Sequence, residues 1–277
     1  MPAVPHSTTG WVWLFARANI PARRLILAGL AALRERSDDV SPRKLAALVL
    51  RDPLLTARLF AYAAVHRGSN YPGELTTVDG MVLTFGMTQV IEALAGAPAL
   101  ESILEGKPQA LEGLFEVLLR ARQAARFAAD FAGHRQDREI EEIAVTGLLT
   151  DLAEMLLWCE APEAALEIRR RMRLDRTLRS RAVQQEVLGA TLQDVQLAVA
   201  HAWNLPRLLV TMMDSQRSEN PRVRNVALAV DLARHSANGW DNPALPDDFS
   251  AIGALLHLDA TRVRQMVEPR QFNASAG

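Results

Sequence analysis

The sequence predicts an all-α fold, a compact multi-helix bundle, from three observations. Leu, Ala and Arg dominate and recur at helical spacing, several helix starts are marked by a capping residue followed by proline, and no run alternates β-branched or aromatic residues as a strand would. Residues 11–16 form a short apolar stretch bounded by Gly10 and Arg17. It is shorter than the core of a signal peptide, has no basic residue before it, and is far below the roughly 20 apolar residues of a spanning helix. Pro21 opens a helix carrying Leu25, Leu27, Leu30 and Leu33, which ends near residues 37–39. Ser41-Pro42 and Asp52-Pro53 are each an N-cap followed by proline at the first helical position, and they start helices over 44–50 and 54–65. Residues 68–74 read as a loop, and Thr77 caps a helix that Gly86 breaks after Phe85. Residues 111–132 are amphipathic, with Leu114, Val117, Leu118, Ala121, Ala125 and Ala128 on one face, and Gly133 ends them. Residues 140–159 are apolar on most sides, which predicts one central helix. Helices over 163–174, 178–188, 191–202 and 207–213 follow, then 223–235, 252–256 and 260–267, with a frayed tail over 271–277.

The 277 residues, 49% of them hydrophobic, are enough for one large domain or two small ones without disulfides or a structural metal. The pattern fits one compact unit, with two lobes meeting near residue 110 as a variant, and Pro-rich 242–248 as the best hinge candidate. Cys159 is the single cysteine, which excludes an intramolecular disulfide and a Cys-based zinc site, and its apolar neighbours make it an inert small hydrophobe. The net charge of −1 argues against a whole-protein footprint for nucleic acid. Phosphate-binding glycine loops and nucleophile elbows are absent, so no cofactor is implied. No two of the six histidines stand four apart on a helix; a set of His134, Asp151, His201 and His235 can be drawn, but scattered surface or capping histidines account for the pattern as well.

Four segments carry a family resemblance. Arg51-Asp52-Pro53-Leu54-Leu55-Thr56-Ala57-Arg58-Leu59 looks like a "DP-x-L-T-x-x-L" helix start, and Thr76-Thr77-Val78 through Leu83-Thr84-Phe85-Gly86 like the segment that follows it. Gly147-Leu148-Leu149-Thr150-Asp151-Leu152 is similar to "GLLHDIG", and Glu186, Gly189 and Trp203-Asn204-Leu205-Pro206 to "E…G…W-x-L-P". Together they resemble the bacterial HDOD domain, a relative of the HD phosphohydrolases, over about residues 20–215. The resemblance implies an arm over 1–19, an HDOD domain over 20–220, and C-terminal helices over 221–277 packed on the same unit.

The departures bear on activity. The resembled hydrolases hold metal with a His, a His-Asp pair and a further Asp, which activate a water. Here the His of the pair is Thr150, only Asp151 survives, and the 111–132 helix, which would carry the first His, has none. No catalytic or metal residue is therefore assigned, and Thr150 and Asp151 stand as a degenerate remnant. Two other features are candidates. Seven arginines fall within residues 169–181, and Arg169, Arg170, Arg173, Arg176, Arg179 and Arg181 offer forks suited to phosphate or carboxylate. Glu163, Glu167, Asp175 and Glu186 lie around them, so a solvated helix face is the competing account. Trp11, Trp13 and Phe15 form either a partner or dimer contact or an arm docked on the body. The resemblance implies a cytoplasmic, non-enzymatic regulatory module acting through another signalling or regulatory protein, without nucleic acid or a membrane span, with a homodimer open. The alternative is a residual metal-dependent phosphohydrolase or a nucleotide-binding protein, the nucleotide including a cyclic dinucleotide.

Overall fold

The structure, a computed structural model, describes residues 4–35, 41–67, 73–175, 177–216 and 219–268. Among these residues it is helical, and the one β pairing is an isolated parallel bridge between Ala22 and Ala99. No single helix among them is long and apolar enough to cross a membrane. The first part comprises α1 (Thr8–Phe15), α2 (Arg24–Glu35), α3 (Pro42–Val49), α4 (Pro53–His66), α5 (Val78–Phe85), α6 (Met87–Ala95) and α7 (Leu100–Ile103). The central and C-terminal part comprises α8 (Pro108–His134), α9 (Ile140–Leu149), α10 (Leu152–Glu160), α11 (Pro162–Leu174), α12 (Ser180–Leu188), α13 (Leu192–Ala202), α14 (Arg207–Met213), α15 (Pro221–His235), α16 (Leu245–Leu256) and α17 (Ala260–Val267).

The longest helix, α8, is the axis of the molecule, with α9 and α15 packed along it and α10, α11 and α4 also against it. Gly147 lets α9 come close, because a Cβ there would stand 3.2 Å from the Ala124 carbonyl oxygen and the Ala128 methyl on α8. One hydrophobic core runs from Trp11 to Val267 without interruption near residue 110.

Local signals place most of the starts. Thr77 accepts a hydrogen bond from the Gly80 N–H and Thr191 one from the Asp194 N–H, as N-caps do. The Asp52-Pro53 start is more elaborate. The fully buried Asp52 carboxylate accepts from the backbone N–H groups of Leu54 and Leu55 and pairs at 2.9 Å with Arg23 in front of α2.

Four expectations need correction. The helix expected over 140–159 is two helices, broken at Thr150-Asp151. The hinge expected over 242–248 is largely the first turn of α16, where Pro246 occupies an early position that needs no N–H donor and Asp247 and Asp248 meet the positive helix end. Gly133 lies inside α8 instead of ending it. The Trp11–Phe15 alternation is helical: Trp11 and Phe15, four apart, face inward in α1, and Trp13 faces out. The helix end at 37–39, most of the 68–74 loop and the 271–277 tail lie outside the described residues.

Candidate functional site

The break between α9 and α10 positions the site. Breaking a buried helix strands backbone donors and acceptors, which must find other partners. Gln196 on α13, 2% exposed, supplies them. Its amide nitrogen donates to the Leu149 carbonyl at 3.0 Å and its amide oxygen accepts from the Ala153 N–H at 2.8 Å. The Thr150 hydroxyl donates back to the Thr146 carbonyl at 2.7 Å, so the residue in the place of the resembled histidine is engaged by its own helix. The Asp151 carboxylate makes no capping bond to α10 and turns instead toward α8.

There it meets Arg120. The guanidinium donates to Asp151 at 3.0 Å and to Glu154, one turn further on, at 2.6 Å. Arg234 of α15 approaches the other Asp151 oxygen at 3.9 Å and pairs with Asp231 at 3.1 Å. Arg120 and Asp151 are 16% and 14% exposed. Burial alone would raise the Asp151 carboxyl, but Arg120 and Arg234 outweigh it and hold the group below the usual carboxylate range. Burial works against the Arg120 charge too, and Asp151 and Glu154 more than restore it. Asp231, flanked by Asp248 and Asp151, is pushed up by burial in spite of Arg234 and His235.

These groups border a cleft of about 850 Å³ between α8, α10, α11, α12 and α15, within the range of small-molecule sites. The residues do not fit the metal centre of the resembled hydrolases. Thr150 supplies no imidazole, α8 presents an arginine, and no three His, Cys, Asp or Glu among the described residues are placed to hold a metal ion. His134, Asp151, His201 and His235 do not come together, and His235 bonds to Asp248 at 2.7 Å. The buried Cys159 thiol is pushed up by its burial, then by Glu160 and Asp52, and is kept from forming a thiolate.

The arginine block divides. Arg169 leaves the surface, pairs with Glu116 on α8 at 2.6 Å and lies over the Trp158 ring. Arg170 and Arg171 share Glu167, and Arg171 also reaches Glu186 at 2.9 Å. These hydrogen bonds hold Glu167 down at about 2. Arg173, Arg179 and Arg181 are exposed and have no ion-pair partner among the described residues, and Arg176 lies outside them. Arg169 is thus engaged inside the molecule while Arg173, one turn on, is exposed. Arg181 and Arg169 line the same cleft as Thr150 and Asp151, which joins two features the sequence shows separately. Arg120, Glu154, Gln196 and Arg234 complete the site; only Glu154, one turn from Thr150, carried a local signal.

The arm is docked. Trp11 is 1% exposed, and its indole N–H donates to the Leu188 carbonyl at 2.9 Å. The arm crosses Gly189, which has φ +66° and where any Cβ would stand 2.2 Å from the His6 carbonyl oxygen. Trp11 and Phe15 are therefore core residues, and Trp13, 59% exposed, is what remains for a surface contact.

The fold has known counterparts. No curated protein matches the chain. A solved structure of the MmoQ response regulator from Methylococcus capsulatus strain Bath is 18% identical, covers 92% of this chain and 100% of its own, and superposes with a TM-score of 0.70. A virulence factor from Campylobacter jejuni subsp. jejuni is 16% identical over 94% of this chain and 97% of its own, with a TM-score of 0.64. The HDOD domain family model matches residues 26–219, most of the chain, and this protein belongs to the HDOD domain family.

Proposed function

We propose that this chain is a non-catalytic signalling module that works in the bacterial cytoplasm by contacting another regulatory protein. The observation that carries this reading is the Arg120 clamp: the one carboxylate left from the resembled metal set is neutralised by a guanidinium from the helix that would carry its first histidine. A response regulator among the proteins of the same fold agrees with a signalling role. The contact surface in this reading is the α11–α12 turn, where Arg173, Arg179 and Arg181 flank the exposed Leu174 and Leu178, with Trp13 as a second contact or a dimer contact. The near-neutral total charge and the lack of aromatics between the arginines favour protein over nucleic acid. The arm over 1–19 and the helices over 221–277 belong to the same working unit around the 20–220 domain. The test is hydrolysis of bis(nitrophenyl) phosphate and of a cyclic dinucleotide by purified protein supplied with Mn²⁺. No turnover above buffer is expected, and turnover that Asp151→Asn removes would establish the residual phosphohydrolase instead.

A further inference from the structure

Among the charged groups of the cleft beside Asp151, every acid is paired and one arginine is not. Its four carboxylates are all taken: Glu116 by Arg169, Asp151 and Glu154 by Arg120, and Asp231 by Arg234. The donors on its wall that have no acceptor among the described residues include three on α10 and α12. Arg181 is unpaired, the Gln184 amide nitrogen is free while its oxygen is occupied by the Leu192 N–H, and the Trp158 indole nitrogen is buried without a partner. Trp158 is only 4% exposed, and a buried donor left unpaired destabilises the fold. Arg181 and Gln184 stand three apart on α12 and so share a face. The α12 start beside them has no side-chain cap and no acid in its first turn, so its positive end is uncompensated, and Ser180 of that turn lines the cleft. Leu157, Ile168, Met172, Met212 and Met213 form an apolar, adaptable part of the wall, beside the polar Gln193, Ser215 and Asn238.

We propose that this cleft binds an organic anion of about mononucleotide size, its phosphate or carboxylate group against Arg181 and the start of α12 and its apolar body against Trp158 and the methionines. The ligand's anionic group supplies the acceptor that Arg181 and Gln184 lack, and the Arg120 clamp stays closed behind it. The proposal does not depend on the protein-contact reading, because its test uses no partner. Full-length protein is titrated with anilinonaphthalene sulfonate, an anion with an aromatic body whose fluorescence rises in apolar surroundings. The bound probe is then competed with GMP in one arm and decanoate in the other. One saturable site is expected, displaced by GMP if the natural anion is a phosphate and by decanoate if it is a carboxylate. Arg181→Ala and Gln184→Ala, each with unchanged near-ultraviolet circular dichroism, weaken probe binding by about tenfold and about threefold, as loss of a charged and a neutral hydrogen bond would, and Arg43→Ala on α3 leaves it intact. Absence of saturable binding, binding that Arg181→Ala and Gln184→Ala leave unchanged, or failure of both competitors to displace the probe would overturn the proposal.

Discussion

Two of the aspartates at helix starts in this molecule, Asp52 and Asp151, each meet an arginine from a neighbouring segment. Asp52 is fully buried, accepts two backbone N–H groups of α4 and pairs with Arg23. Asp151 caps nothing, stays partly exposed at a cleft, and is held by Arg120 and Arg234. The first is consumed by the fold: every acceptor position serves backbone or the anchor of α2. The second is a carboxylate the backbone does not need, so it is free to serve a site, and in this chain an arginine has taken it. The difference shows how to tell a structural from a functional acid in such a bundle: ask whether the helix start would survive without it.

The comparison can be broken at several points. The largest effect is expected from Asp52→Ala, which removes the cap and leaves Arg23 without its buried partner. A loss of about 3–5 kcal/mol in urea unfolding is expected. Next is Gln196→Ala, which strands the Leu149 carbonyl and the Ala153 N–H inside the core and should cost about 3 kcal/mol by the same measurement. Asp151→Asn should cost less, about 1–2 kcal/mol, because Arg120 keeps Glu154. That substitution also has a pH signature. The Asp151 carboxyl is lowered in the folded state, so its contribution is present above the ordinary carboxylate range and fades as pH falls through the depressed value. The stability gap between wild type and Asp151→Asn should hold at neutral pH and narrow below about pH 4. The smallest effect is expected at Arg173→Ala, where an exposed, unpaired side chain should change stability by less than about 0.5 kcal/mol.

The sequence showed what local chemistry encodes. Asp52-Pro53, Thr77 and Thr191 mark helix starts because a cap and its donors lie within three residues, whereas Ser41 makes no capping bond and the start after it rests on Pro42. The break at Thr150-Asp151 was invisible because its compensation comes from Gln196, more than 40 residues away in sequence, and the surrounding leucines fit one continuous buried helix equally well. Asp151 could be singled out by the resembled motif, but Arg120 could not, since an arginine on an amphipathic helix carries no sign of the carboxylate it will meet. The arginine block was visible as composition; Arg170 and Arg171 meet Glu167 on their own helix, but the pairing of Arg169 and the second contact of Arg171 depend on Glu116 and Glu186 on other helices.

The central claim is that the guanidinium of Arg120 has taken the carboxylate that a metal would need. Calorimetric titration of the full chain with Mn²⁺ tests it most directly. No stoichiometric binding is expected, in wild type or in Asp151→Asn. Binding of one Mn²⁺ per chain that Asp151→Asn abolishes would contradict the account.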